Sequence, residues 1–143
     1  MTSDGASAGG FQLVRISRTL PAPPERVWAA LTEAEQLRDW FWPSSFDTTV
    51  TADARVGGRY RIASAVRELA VSGEYLEVSP PHRLVLSWQW DGEQTRSTVH
   101  IDLLGGERGS GLVLTHEGLA PDAVPEHQQG WSDCLDRLPG HLA

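Results

Sequence analysis

The spacing of apolar residues divides this chain into strand-like and helix-like segments. Residues 11–20 alternate apolar and polar positions around β-branched side chains, which predicts a half-buried strand that a cluster of prolines ends. Residues 24–41 carry apolar side chains at helical spacing and predict two short helices. Thr32 is predicted to cap the second of them, with Glu35 completing a capping box and Trp40 on the buried side.

A period of two residues returns after Pro43 and predicts an antiparallel sheet. The connecting segments are short and rich in Gly, Pro or acidic residues, as hairpin links are. Successive strands joined in this way pair antiparallel, since parallel pairs need long crossover connections. The predicted strands cover residues 46–52, 58–64, 71–79, 83–90, 97–104 and 111–118.

The last part of the chain predicts one long amphipathic helix. Trp131, Leu135 and Leu138 recur at helical spacing, and Cys134 lies beside this stripe. Pro139 is expected to kink or end the helix. One helix is too narrow to cover a flat sheet of seven strands, so the sheet is expected to curve around it. The fold class is therefore α+β, with a space between sheet and helix that side chains or a ligand must fill.

Length, charge and cysteine content narrow the class of protein. The 143 residues fit one globular domain, which is expected over residues 11–143. Residues 1–10 are expected to form a flexible polar tail. This tail lacks the apolar core of a signal peptide. No run approaches the about 18 apolar residues that a membrane span needs. A net charge of −7 argues against nucleic acid and membrane surfaces as partners. The single cysteine cannot form an intramolecular disulfide, so a cytoplasmic location is expected.

Tryptophan is the one unusual residue count, with six Trp against three Phe and two Tyr. Each buries about 150–250 Å², so six of them either overfill a small core or line a cavity. Alternation places Leu86, Trp88 and Trp90 on one face of strand 83–90, which is predicted to be the concave face. The other predicted cavity-lining residues are Trp28, Trp40, Tyr60, Ile62, Leu114, His116, Trp131, Cys134, Leu135 and Leu138. The alternative is that these side chains simply pack on one another as a core.

Several blocks of the sequence carry a family resemblance. The chain contains VWAALTEAEQLRDWF at 27–41, VGGRY at 56–60, GEYLEVSPPHRLVLSW at 73–88, LVLTHEG at 112–118 and HQQGWSDCLDRL at 127–138. Together they resemble the activator of heat-shock-protein-90 ATPase homologue family, within the START-like SRPBCC superfamily. The resemblance implies the helix-grip fold of the birch pollen allergen Bet v 1, a seven-stranded curved sheet around a long C-terminal helix. It also implies a cavity of the kind that this superfamily uses for hydrophobic molecules.

The histidines are the candidate residues for chemistry. His116 shares a strand face with Leu114, so it either contacts a ligand or is a core histidine paired with a neighbouring residue. The second interpretation is favoured, because buried polar groups are normally paired. His100 and Asp102 lie between apolar positions that face inward, so this pair is expected to face solvent and not to be catalytic. The histidines are dispersed and lack metal-ligand spacing, so neither a metal nor a cofactor is expected.

These patterns favour one function and leave two alternatives. The leading hypothesis is non-catalytic binding of a small hydrophobic or aromatic molecule between the sheet and the C-terminal helix, by a monomer or a homodimer. The family resemblance implies a chaperone partner as the first alternative. An aromatase or cyclase acting on a bound polyketide is the second, and it lacks support because His116 is the one acid–base group assigned to the inner face.

Overall fold

Seven antiparallel strands wrap around one long helix in the computed structural model, which describes residues 13–143. The predicted tail at residues 1–10 and the first two positions of the predicted first strand lie outside the described residues. The strands are β1 (Leu13–Leu20), β2 (Thr49–Ala52), β3 (Arg59–Ser64), β4 (Leu69–Ser79), β5 (Arg83–Trp90), β6 (Ser97–Gly105) and β7 (Ser110–Glu117). The helices are α1 (Pro24–Thr32), α2 (Ala34–Trp40) and α3 (Val124–Leu142), with short 3₁₀ turns at Ser44–Phe46 and Pro121–Ala123.

The sheet has the strand order β1-β7-β6-β5-β4-β3-β2, so strands β2 to β7 form a meander and β1 joins its far edge beside β7. Register brings Leu86, Val99, His116 and Val14 into one row across four strands. Paired residues lie on the same face of a sheet, and all four of these side chains are buried. The row therefore runs across the concave face, beneath α3.

Two features of β4 bend the sheet. A register shift between Tyr75 and Glu77 interrupts the pairing of β4 with β5, and such bulges increase local twist. At Gly73 a Cβ atom would collide with the carbonyl oxygen of Ser87 on β5, so glycine alone allows the two strands to approach this closely. The predicted α+β class, the curved seven-stranded sheet and the two short helices after β1 are confirmed.

The predicted cap at Thr32 and the predicted end of the helix at Pro139 are wrong. Thr32 does not cap α2. It is the last residue of α1, where its hydroxyl donates to the carbonyl oxygen of Trp28 at 2.8 Å, and Glu33 is the N-terminal cap of α2 instead. Pro139 does not end α3, which continues to Leu142 because the flanking apolar side chains stay packed in the core.

The core lies between the concave face of the sheet and α3. The helix presents a stripe of buried residues to the sheet, consisting of Trp131, Cys134, Leu135, Leu138 and Leu142. Helices α1 and α2 contribute further buried side chains to the same core, among them Leu31, Leu37 and Trp40. Among the helices of residues 13–143, none is long and apolar enough to cross a membrane.

Candidate functional site

The space directly between the sheet and α3 is largely filled by side chains. A closed cavity of about 40 Å³ remains there, and every residue around it is buried. A water needs about 10–15 Å³ of such space, whereas small-molecule pockets span about 300–1,000 Å³. The cavity therefore has room for a few waters at most. Of the predicted residues, it is lined by Trp40, Tyr60, Ile62, Leu86, Trp88, Leu114, Trp131 and Leu135.

A larger cleft of about 520 Å³ lies beside this closed cavity, where the end of α2, the end of β5 and the first half of α3 meet. Its volume falls within the range of small-molecule pockets. We call it the aromatic cleft, because six aromatic side chains form its walls. They are Phe41, Trp42, Phe46, Trp88, Trp90 and Trp131.

The segment after α2 supplies one wall of the aromatic cleft. Pro43 cannot continue a helix, so the chain turns there and carries Trp42 and Phe46 to the cleft. The rings of Trp42 and Trp90 are nearly parallel, at an interplanar angle of 8° and a centroid distance of 6.4 Å. The Trp42 ring also contacts Phe46 at 5.7 Å. Flat apolar faces from two different parts of the chain therefore meet at the entrance.

Charged side chains line the outer part of the aromatic cleft. The acidic ones are all exposed, whereas Arg137 is half-buried. Arg137 donates from Nε to the carbonyl oxygen of Trp40 at 3.1 Å and from Nη2 to that of Phe41 at 2.6 Å, which ties α3 to the end of α2. The Arg137 guanidinium is thus already hydrogen-bonded to two backbone carbonyl oxygens. The acidic lining residues are Glu68, Asp91, Glu93, Glu126 and Asp133.

A hydrogen-bonded pair separates the aromatic cleft from a second cleft of about 230 Å³. Trp90 Nε1 donates to His127 Nε2 at 2.9 Å, and His127 Nδ1 donates to the carbonyl oxygen of Ala123 at 2.8 Å. His127 must be neutral with its proton on Nδ1 for both bonds to form. Both rings line both clefts, so this pair is the wall between them.

His116 is fully buried, and protein partners occupy both of its ring nitrogens. Trp131 Nε1 donates to Nδ1 at 2.9 Å, and Nε2 is 2.7 Å from Ser97 Oγ. Because Nδ1 accepts, the proton of the neutral ring is on Nε2, which donates to Ser97. Burial, aided by the nearby His127, lowers the pKa of His116 to about 3.

This hydrogen-bond pattern argues against nucleophilic catalysis by Ser97. A base must accept the hydroxyl proton, but His116 Nε2 already carries one, and the Ser97 hydroxyl donates to the carbonyl oxygen of Trp88 at 3.3 Å. Cys134 is no better placed, because burial raises the pKa of its thiol to about 12. Its Sγ donates to the carbonyl oxygen of Phe41 at 3.0 Å.

Trp88 differs from the other tryptophans around it. The indole N–H groups of Trp40, Trp90 and Trp131 each donate to a protein acceptor 2.8–2.9 Å away. Trp88 is 5% exposed, and its buried Nε1 has no acceptor among residues 13–143. An unpaired buried donor costs about 1–3 kcal/mol. Among residues 13–143, the Trp88 N–H is therefore a buried donor without a protein acceptor.

The structure brings most of the predicted site residues together and leaves three apart. Trp90 and Cys134 line the aromatic cleft, and Trp88 and Trp131 line both this cleft and the closed cavity. Trp28, His116 and Leu138 line none of the cavities described. Trp28 is half-buried on α1, and Leu138 is packed in the core.

Several residues of the aromatic cleft were not predicted from the sequence. Trp42 and Phe46 follow α2, and the unbroken aromatic run at 40–42 was a signal that this segment carries an apolar surface. His127 lies four residues before Trp131, so the two share one helix face, and this spacing places His127 beside the cleft.

The remaining candidates for chemistry lie away from the cleft. His100 and Asp102 face outward between the buried residues of β6, as predicted, and both contact the Arg83 guanidinium, at 3.1 and 2.7 Å. Within the part of the chain that the structure describes, no group of three or more His, Cys, Asp or Glu side chains is arranged to hold a metal ion.

The chain matches a known protein family over most of its length. Residues 21–143 match the family described as Activator of Hsp90 ATPase homolog 1-like protein. A protein from Chromobacterium violaceum has 30% sequence identity and a TM-score of 0.80, with 92% of this chain and 96% of that chain covered. No curated protein matches the sequence significantly.

Two further solved structures share the fold. The HSP90 activator from Plasmodium falciparum has 25% identity and a TM-score of 0.75, with 92% of this chain and 96% of that chain covered. DynU16, a protein in the dynemicin biosynthetic locus, has 26% identity and a TM-score of 0.78. That match covers 92% of this chain and 47% of DynU16, so this chain spans about half of its length. The family match covers residues 21–143, and the curved sheet and long helix agree with the fold of these relatives. The chain therefore belongs to the Activator of Hsp90 ATPase homolog 1-like family.

Proposed function

We propose that this protein binds a small, flat aromatic molecule in the aromatic cleft and releases it unchanged. The observation that carries this proposal is a cleft of about 520 Å³ walled by six aromatic side chains. Flat apolar walls favour a flat apolar occupant, because ring stacking adds to the burial of surface. The closed cavity of about 40 Å³ is too small for such a molecule, so binding is assigned to the cleft beside it.

The groups near the cleft support binding without catalysis. The Cys134 thiol is protonated at neutral pH, and His116 holds its proton toward Ser97. Both ring nitrogens of His127 are already in hydrogen bonds with the protein. A cyclase-like reaction needs a group free to move a proton at the substrate. Recovery of the bound compound unchanged, measured by mass spectrometry, separates the binding proposal from the aromatase or cyclase alternative.

Binding is expected to quench tryptophan fluorescence and raise the melting temperature. Four of the six tryptophans line the aromatic cleft, so a bound aromatic compound lies within reach of their emission. A ligand at a hundred times its Kd stabilises the folded state by about 2.7 kcal/mol. The measurement is a fluorescence titration and thermal melt with 2-acetylnaphthalene, flavone and a fatty acid as probes.

A matched pair of glycine variants tests where the probe binds. Gly130 lines the aromatic cleft, and Gly140 lies further along α3 outside it. A Cβ atom at either position meets nothing within 4 Å, so leucine fits at both. Gly130→Leu is expected to place its side chain in the cleft and abolish binding, whereas Gly140→Leu should bind like the unmodified protein. Equal binding by both variants, or no binding by the unmodified protein, would contradict the proposal.

The second candidate function is regulation of a chaperone ATPase. It is supported by the likeness to the HSP90 activator from Plasmodium falciparum, which covers 96% of that chain. The partner would be a heat-shock-protein-90 chaperone, and the expected result is a higher rate of ATP hydrolysis when this protein is added. Because this activity does not need a molecule in the aromatic cleft, Gly130→Leu should stimulate as well as the unmodified protein. If a saturating concentration of this protein leaves the rate of ATP hydrolysis by the chaperone unchanged, the second candidate function is excluded.

A further inference from the structure

The second cleft, of about 230 Å³, adjoins the aromatic cleft and has no role in the proposed function. It lies between the turn after β5, the start of β6 and the segment that leads into α3. Whole small molecules occupy pockets of about 300–1,000 Å³, so this space suits one substituent of a larger molecule. The polar side chains that line it are Glu93, Thr95, Ser97, Asp122, Glu126 and His127.

The two clefts share a boundary that carries two carboxylates. Glu93 and Glu126 line both clefts, as Trp90 and His127 do. Glu93 lies in the turn after β5, and Glu126 directly precedes His127 on α3. The hydrogen bond from Trp90 to His127 ties the end of β5 to the first turns of α3, so it also holds the two carboxylates at this boundary. A substituent that reaches from one cleft into the other therefore lies beside both of them.

The charges of the second cleft are negative and unbalanced. Within residues 13–143, no arginine lines this cleft, and none of its carboxylates forms a salt bridge. Nearby Arg96 lines neither cleft, and its guanidinium lies 3.7 Å from the carboxylate of Glu74 on β4. The positive end of α3 supplies the equivalent of about half a charge, which is less than the carboxylates carry. Those carboxylates belong to Glu93, Asp122 and Glu126.

The arginines around the aromatic cleft are held away from this boundary or paired. Arg137 follows Glu126 by about three turns of α3, or about 16 Å along the helix axis. Arg61 donates to both carboxylate oxygens of Asp91, at 2.9 and 2.7 Å, and so balances that charge. Arg67 lies over the ring of Phe46, 5.1 Å from its centroid. A positive group on a ligand is therefore best placed at the end of the cleft where Glu126 lies.

We infer that the molecule held in the aromatic cleft carries a protonated amine, and that the second cleft binds this group beside Glu93 and Glu126. The inference rests on the proposed function, which accounts for the aromatic part of the molecule. The volumes of the adjoining clefts identify the site, and the carboxylates determine the charge that it selects. An ammonium at the boundary also lies next to Trp90, and an indole face attracts a cation. A ligand carboxylate there would meet like charges.

Three naphthalene probes that differ in charge test this inference. 2-(2-Naphthyl)ethylamine is protonated at neutral pH, 2-(2-naphthyl)ethanol has a hydroxyl in place of the ammonium, and 2-naphthylacetate is an anion. Calorimetric titration of the full chain at low ionic strength is expected to give a Kd about fivefold lower for the amine than for the alcohol, as exposed ion pairs provide. The anion should bind more weakly than the alcohol. Added salt at about 0.5 M should remove most of these differences, because it screens exposed charges.

A matched pair of double variants tests the role of the boundary carboxylates. With Glu93→Gln and Glu126→Gln combined, the amine and the alcohol are expected to bind equally. The control combines Glu35→Gln with Glu107→Gln, two exposed positions that line none of the cavities described. It removes the same number of charges and should keep the fivefold preference. Affinity for the alcohol reports whether the aromatic cleft is intact in each variant.

The outcomes separate this inference from the proposed function. If the unmodified protein binds the amine and the alcohol equally and Gly130→Leu abolishes both, the proposed function stands and the inference is wrong. A preference for the amine that persists without Glu93 and Glu126 carboxylates would also overturn the inference. If the control variant loses the preference as well, it arises from the net charge of −7 and not from this boundary. If the unmodified protein binds none of the probes, both the proposed function and the inference are wrong.

Discussion

Replacement of Trp131 by alanine is expected to lower the free energy of unfolding by about 3–5 kcal/mol, the range for emptying a buried aromatic site. Trp131 is 6% exposed, and its ring centroid lies 5.7 Å from that of Phe41 and 5.0 Å from that of Trp88. The side chain thus joins α3 to the end of α2 and to β5. Without it, the closed cavity and the aromatic cleft, which it lines on both sides, would merge.

Two companion variants separate the contributions of the Trp131 ring. Trp131→Phe keeps an aromatic ring and removes the donor to His116 Nδ1, so its cost is expected to be about 1–3 kcal/mol, the penalty for an unpaired buried polar atom. Gln128→Ala changes an exposed residue of the same helix and should stay within about 0.5 kcal/mol. Guanidinium denaturation measures the free energy of unfolding of Trp131→Ala, Trp131→Phe and Gln128→Ala. A loss of under about 1 kcal/mol for Trp131→Ala would show that α3 packs through another face.

The strands and their order follow from short-range pattern, which explains why the sequence predicts them well. Alternation of apolar residues shows which face of β6 is buried, and short links leave antiparallel pairing as the available connection. The predicted strand at 83–90 is confirmed residue for residue. The buried stripe of α3 is likewise visible in the spacing of Trp131, Leu135 and Leu138.

The location of the cleft depends on long-range packing that no local pattern reports. The concave face predicted to line a cavity is largely closed by its own side chains and by those of the helical segments, which leave about 40 Å³. The larger opening arises because Pro43 turns the chain and sets Trp42 against Trp90, a residue 48 positions away in sequence. Pro139 shows the same limit on a smaller scale, since it carries a helix-ending signal that packing overrides.

The protein is expected to lose stability in mild acid because of His116. Its pKa is about 3 in the folded state, lowered mainly by burial, against an ordinary value of 6.5. As the pH falls below about 6.5, the unfolded chain takes up a proton at this histidine and the folded protein does not. The free energy of unfolding therefore decreases by about 1.4 kcal/mol for each pH unit, until the pH nears the folded pKa of about 3.

A variant that lacks the His116 ring isolates this share of the acid response. His116→Gln removes the titrating ring, so the loss of stability between about pH 7.5 and about pH 4.5 should be smaller than in the unmodified protein by about 2–3 kcal/mol. The titrating groups distant from position 116 are present in both proteins and cancel in the difference. The variant is expected to be less stable at neutral pH, since Trp131 and Ser97 lose the ring that joins them. Urea denaturation across this pH range measures both effects. Parallel curves for the two proteins would mean that His116 accepts a proton in the folded state, which requires its hydrogen bond from Trp131 to break.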